Sequence, residues 1–121
     1  MTKSILVVDD DPDLREILRD RLQADGYTTQ TASNGQEAIA ALAAARYDGM
    51  LLDVMMPEID GMEVLRQTRV AYPDLPVVMM TASKRASVIA QAVVDGAKEV
   101  LLKPFDPQLL QHAVTRWFGP A

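Results

Sequence analysis

Five short apolar runs, each followed by a stretch of helical periodicity, partition the chain from end to end, and this alternation leaves few folds open. Ile5 to Val8 is a continuous run of β-branched and aliphatic residues, and Leu14, Ile17, Leu18 and Leu22 then recur at helical spacing up to a stop at Gly26. Tyr27 to Thr31 is a polar, Thr-rich strand suited to an edge. Ser33-Asn34-Gly35-Gln36 has the pattern of a capping box, and Ala38, Ile39, Leu42 and Ala45 form the stripe of a second helix. The third strand, Gly49 to Leu52, ends on Asp53. A loop with Pro57 and Gly61 leads to a helix carrying Met62, Leu65 and Thr68. Val77 to Met80 follows Pro76 as the fourth strand, and a helix with Val88, Ile89, Ala92 and Val93 stops at Gly96. Val100 to Leu102 is the last strand. Pro107 marks a first helical position, ahead of a stripe of Leu109, Leu110, Ala113, Val114 and Trp117.

Five βα units with apolar central strands predict a parallel sheet covered by helices on both faces. Right-handed crossovers then restrict the topology. The flavodoxin-like (βα)5 sandwich, strand order 2-1-3-4-5, fits best because the second strand is the most polar. A length of 121 residues fits one domain over 1–121, with no output domain expected. The net charge of -5 argues against a nucleic-acid-binding face. The absence of cysteine excludes disulfides and thiolate metal sites. With no long apolar run and no signal-like N-terminus, the expectation is a cytoplasmic protein.

In such a sheet the functional crevice lies at the carboxyl ends of the strands. Strand one ends in Asp9-Asp10-Asp11, strand three in Asp53, strand four in Thr81 and strand five in Lys103-Pro104. The fold would gather carboxylates, a hydroxyl and an ammonium at one edge, which core packing does not require. Clustered carboxylates repel one another, and a hard divalent cation relieves that repulsion. Mg²⁺ suits it, taking oxygen ligands while keeping waters that a phosphate can replace. A carboxylate can also act as a nucleophile and form an aspartyl-phosphate. Lys103 and the metal would neutralise charge on the phosphoryl oxygens, and Thr81 would donate a hydrogen bond to one of them.

Val7-Val8-Asp9-Asp10, Asp53 with Met56-Pro57 and Asp60-Gly61 downstream, Thr81-Ala82 and Lys103-Pro104-Phe105 together resemble the receiver domain of two-component response regulators. The resemblance runs from about Ser4 to Phe118 and rests on order, spacing and strand-end placement jointly. It implies that Asp53 is the phosphoacceptor and that Asp9 and Asp10 are the acidic pair holding Mg²⁺ with Asp53. It further implies the backbone carbonyl of Met55 as a metal ligand, Thr81 as the switch hydroxyl, Lys103 as the phosphate-binding lysine and a cis Lys103-Pro104 bond. Its partners would be a histidine kinase or histidine phosphotransfer protein upstream, and a downstream protein or a covalently linked output domain. Homodimerisation on phosphorylation would be compatible with it. The domain would assist its own phosphorylation and slow autodephosphorylation without being an enzyme in the ordinary sense. One residue departs from the family pattern: Val100 stands three residues before the lysine, where receivers commonly carry Tyr or Phe.

Plainer readings account for other residues. Asp11 before Pro12 is a helix cap rather than a ligand. The methionines are core filler or loop lining, and His112 is a surface residue. Lys84 and Arg85 at a helix start, where cations oppose the dipole, are solvated ends or partner contacts. Among rival functions, a phosphatase of haloacid dehalogenase type would want its nucleophile after the first strand and an Asp two residues on, where this chain has Met55 after strand three. A flavodoxin would need a phosphate-cradling first loop rather than three carboxylates. No P-loop motif occurs. A non-phosphorylated binding module of the same fold would be expected to have lost one of the five key residues.

Overall fold

A computed structural model describes residues 2–121. The elements run β1 (Ser4–Val8), α1 (Pro12–Ala24), β2 (Thr28–Ala32), α2 (Gly35–Ala44), β3 (Gly49–Asp53), α3 (Gly61–Ala71), β4 (Val77–Thr81), α4 (Ala86–Val94), β5 (Glu99–Leu102) and α5 (Pro107–Phe118). All strands are parallel, in the order β2-β1-β3-β4-β5, as the alternation predicts. β2 lies at an edge, in keeping with its polar sequence, and β3 and β4 are buried along their whole length.

Successive strand residues point to opposite faces, so each apolar run feeds two cores. Leu6, Val8, Met50, Leu52, Val77 and Met79 pack against α2, α3 and α4 through Ala38, Leu42, Val64, Leu65 and Ala92. Ile5, Val7, Leu51, Val78, Met80 and Leu101 pack against α1 and α5 through Leu18, Leu22, Leu110, Ala113, Val114 and Phe118. Phe118 reaches the sheet where Gly49 begins β3, and a Cβ at Gly49 would run into its ring. Fully burying a side chain of this kind is worth about 1.5–3 kcal/mol, so the two cores hold the strand ends in a fixed register.

Several stripe residues face outward instead. Ile17, Val93 and Leu109 are exposed, because the helical stripes facing the sheet are narrower than their apolar content. Ala45 is the C-cap of α2 rather than part of its stripe. The capping box also sits one residue later than Ser33–Gln36. Asn34 is the N-cap and accepts from the Glu37 amide at 2.8 Å, while Glu37 Oε1 accepts from the Ser33 amide and hydroxyl, each at 2.8 Å. Asp11, Asp60 and Asp106 cap α1, α3 and α5, and Arg85 precedes α4 without a side-chain cap. Asn34→Ala is therefore expected to destabilise the protein by about 1 kcal/mol in urea unfolding, and Gln36→Ala to leave it unchanged within error.

Candidate functional site

Each polar residue at the carboxyl edge is placed by the strand it ends. β1 carries four buried aliphatic residues and delivers Asp9, itself fully buried, to the end of the sheet. β3 delivers Asp53 beside it, 3% exposed. Asp10 follows at the solvent rim. Carboxylate oxygens of Asp9, Asp10 and Asp53 lie within 4.8 Å of one another. Lys103, just past β5, reaches into this cluster. Its Nζ donates to Asp9 Oδ2 at 2.8 Å and stands 3.3 Å from Asp53 Oδ2. The Lys103-Pro104 peptide is cis, as expected.

The loops complete the placement. The Asp11 amide donates to Asp9 Oδ1 at 2.9 Å, while the Asp11 side chain accepts from the Asp13 and Leu14 amides as the cap of α1. Asp11 thus turns away from the cluster, in line with its expected capping role. The Met55 amide is 3.3 Å from Asp53 Oδ1, and the Met55 side chain is exposed beside it. Thr81 ends β4 fully buried, and its hydroxyl accepts from the Ser83 amide at 3.0 Å. Among the described residues it makes no hydrogen bond to the three aspartates. The structure thus brings Asp9, Asp10, Asp53 and Lys103 together and leaves Thr81 on the adjoining strand end.

Two further residues matter to this arrangement through contacts that the sequence analysis did not assign. Arg15, in the first turns of α1, donates from Nη1 to the Asp9 carbonyl oxygen at 2.9 Å. Gly61, at the start of α3, packs against the Asp53 carbonyl, and a Cβ there would run into that oxygen. Asp60-Gly61 is visible as a pair in the sequence, but the close approach that needs a glycine arises only from the turn of the β3–α3 loop, where the Gly61 amide donates to the Val54 carbonyl at 2.9 Å.

The electrostatics are unbalanced. Burial first, and the neighbouring Asp9 charge second, push the Asp53 carboxyl up to about 6 from an ordinary 3.8, although Lys103 and the Met55 amide act in the opposite direction. Burial also works against the Lys103 charge, but its hydrogen bond to Asp9 and the charges of both aspartates outweigh burial and hold its ammonium above the usual lysine value. One lysine therefore does not neutralise the cluster. All-oxygen donors, two buried and one at the rim, with residual negative charge, fit a hard divalent cation of the Mg²⁺ type.

The comparisons agree with this geometry. The family model described as "Response regulator receiver domain" matches residues 5–115. The chain belongs to that family. Among relatives, the response regulator MprA of Mycobacterium ulcerans is 46% identical over 105 residues, covering 87% of this chain and 45% of that protein. MprA of Mycobacterium tuberculosis is 45% identical, covering 87% and 46%. The receiver thus spans about half the length of the curated relatives it matches. Among solved structures, the chemotaxis protein CheY4 of Vibrio cholerae aligns with a TM-score of 0.91 at 32% identity, covering 97% of this chain and 99% of that one. TrrA of Thermotoga maritima, a response regulator solved in complex with Mg²⁺-BeF, aligns with a TM-score of 0.87 at 35% identity, covering 96% and 99%. The fold is the flavodoxin-like one of these receivers, and the chain is a two-component signalling module.

Asp53 holds a proton in the folded state, across the window from about pH 4 to about 6, that the unfolded chain has already released. The metal-free receiver therefore loses stability as pH rises through that window, and above it the cost of the buried charge is fully present. Asp53→Asn is expected to stabilise the EDTA-treated protein by about 2 kcal/mol near neutral pH, with the gain closing at about pH 4, as read by urea unfolding. No pH dependence in that difference would contradict the assigned electrostatics.

Proposed function

We propose that this receiver relays a signal by accepting a phosphoryl group on Asp53 from the phosphohistidine of a histidine kinase or histidine phosphotransfer protein, with Mg²⁺ held by Asp9, Asp10, Asp53 and the Met55 carbonyl. The observation that carries this reading is the buried pair Asp9 and Asp53 sharing one Lys103 ammonium, with Asp10 open to solvent beside them. A structural ion pair would balance its charges, whereas this cluster keeps an excess of carboxylate at an accessible edge.

In the transfer, an Asp53 carboxylate oxygen attacks phosphorus as the nitrogen–phosphorus bond of the donor breaks, leaving an acyl phosphate on Asp53 and a neutral imidazole on the partner after proton uptake. Bound Mg²⁺ supplies charge neutralisation to the carboxylates and to the phosphoryl oxygens. Lys103 is already at Asp53 and moves its hydrogen bonds to a phosphoryl oxygen. Thr81 turns its hydroxyl from the Ser83 amide toward another oxygen. The same residues assist slow hydrolysis back to Asp53, so the domain catalyses its own resetting without turning over a separate substrate. The receiver at 1–121 works in the cytoplasm and acts on either a linked output domain or a separate downstream protein.

The readout runs without an aromatic at position 100. Val100 is half-buried on β5 and packs into the core beside α4. Pulling on Thr81 and Lys103 shifts the β4–α4 and β5–α5 loops that these residues anchor, and a few kcal/mol of differential stabilisation suffices for such a two-state shift. α4 has no side-chain cap and exposes Val93 and Val94.

Incubation with acetyl phosphate and Mg²⁺ is expected to add one phosphate by intact mass, with no addition in EDTA or in Asp53→Asn. Equal labelling in EDTA would sink the metal-dependent reading. With beryllofluoride and Mg²⁺, the largest amide shifts away from the metal site are expected at Thr81 to Arg85 and Lys103 to Phe105. If they fall on α1 instead, the output surface lies there.

A further inference from the structure

We propose that Arg15 is a positioning residue of the metal centre, fixing the Asp9-Asp10 peptide so that the Asp10 carboxylate faces the ion. This rests on the assignment of Asp9, Asp10 and Asp53 as the Mg²⁺ site. Every polar position of Asp9 is taken. Its amide donates to the Ala32 carbonyl at 3.2 Å. Its Oδ1 accepts from the Asp11 amide at 2.9 Å and its Oδ2 from Lys103 at 2.8 Å. Its carbonyl oxygen accepts from Arg15 Nη1 at 2.9 Å.

Two of these four bonds bear on the peptide that leads to Asp10: the Asp11 amide bond to Asp9 Oδ1 closes a turn across it, and the Arg15 bond alone holds its carbonyl oxygen. The Asp10 side chain is exposed, and among the described residues no hydrogen bond holds its carboxylate. Its direction is therefore set by the backbone that carries it. A peptide plane is rigid, so a donor on the Asp9 carbonyl fixes the orientation of the Asp10 amide and narrows the arc open to the Asp10 Cα–Cβ bond. Partners of this outer kind orient ligands in many metal sites.

Placement also argues for a role. Arg15 lies one turn into α1, close to the positive end of the helix dipole, where a cation is disfavoured. It is half-buried, and its guanidinium reaches back past the cap to the end of β1. It also lies near the start of α2. The Glu37 carboxyl there is held below its ordinary value, first by the Ser33 hydrogen bonds and in smaller part by the Arg15 charge. A side chain that merely decorated the helix would extend into water.

The sign of the effect on Mg²⁺ separates positioning from charge. A guanidinium near the cluster repels a cation, so removing it as a charge alone would tighten Mg²⁺ binding. Removing it as a positioning group would weaken binding. Mg²⁺ titration by calorimetry, checked by amide shifts of Asp10, is to be run on the wild type, Arg15→Gln, Arg15→Lys and Asp10→Asn. Arg15→Gln is expected to raise the Kd about tenfold, the scale for loss of an outer partner. Arg15→Lys, which keeps the charge but loses the planar fork, is expected to fall between it and the wild type. Unchanged or tighter binding in Arg15→Gln overturns the inference, as does a variant that is less stable in EDTA yet binds Mg²⁺ normally. If Arg15→Gln fails to fold, a wild-type Kd in Arg15→Lys overturns it. If the wild type shows no Mg²⁺ binding that Asp10→Asn abolishes, the metal assignment falls first and this inference falls with it.

Discussion

The arrangement at the carboxyl edge depends on one ammonium shared by two buried carboxylates. Lys103 binds Asp9 and stands against Asp53, and these residues come from three different strand ends. Breaking such a contact from one side leaves a buried charge uncompensated, which is far costlier than never having made it. The contact exists only if β1, β3 and β5 end level with one another. That alignment is set by the apolar runs that pack the two faces of the sheet, so the interior side chains aim the charged ones. Lys103 is also insufficient. With Asp9 and Asp10 both near Asp53, the cluster keeps an excess of carboxylate, and the Asp53 carboxyl is raised first by its burial and second by the Asp9 charge.

Much of this was legible in the sequence because the signals were periodic. Strand and helix existence followed from apolar runs of the right length, and strand order followed from the polarity of Tyr27 to Thr31 beside the more apolar first, third and fourth strands. The placement of Asp9, Asp53, Thr81 and Lys103 needed only the rule that parallel strands share a functional end. Boundaries and facing were less legible. Ile17, Val93 and Leu109 match an amphipathic period, but which edge of a broad apolar stripe meets the sheet is decided by helix rotation, and rotation depends on all the packed neighbours. The capping register at Asn34 was hidden because Ser33 and Asn34 are both good caps and Gln36 and Glu37 both plausible partners. Only the chain direction out of β2 chooses between them.

The contacts of Arg15 and Gly61 were illegible for a different reason. Each acts on a backbone carbonyl, at Asp9 and at Asp53 respectively, and backbone atoms leave no trace in residue type at the receiving position. A sequence can advertise a carboxylate. It cannot advertise which peptide plane a distant side chain will hold. The side-chain chemistry of the site was therefore readable, and of its backbone geometry the cis Lys103-Pro104 peptide was expected while these two contacts were not.

The same excess charge links stability to the proposed function. A buried carboxylate that destabilises the metal-free fold gives back that free energy to whatever neutralises it, and a ligand that binds the folded state alone stabilises it by mass action. On the proposed reading Mg²⁺ and a phosphoryl group would meet at this one site, so a change that neutralises the cluster for one would be felt by the other. The tension held at Asp53 can be released in two directions: by protonation, or by a cation, which leaves the carboxylate ionised. Near neutral pH the first route contributes little, because a carboxyl titrating at about 6 is already mostly ionised there. A more stable receiver, with Asp53 matched by a second lysine, would hold its charge too tightly to exchange Lys103 from carboxylate to phosphoryl oxygen. On the proposed reading, the imbalance in the cluster would let Lys103 serve the resting fold and the phosphorylated one in turn.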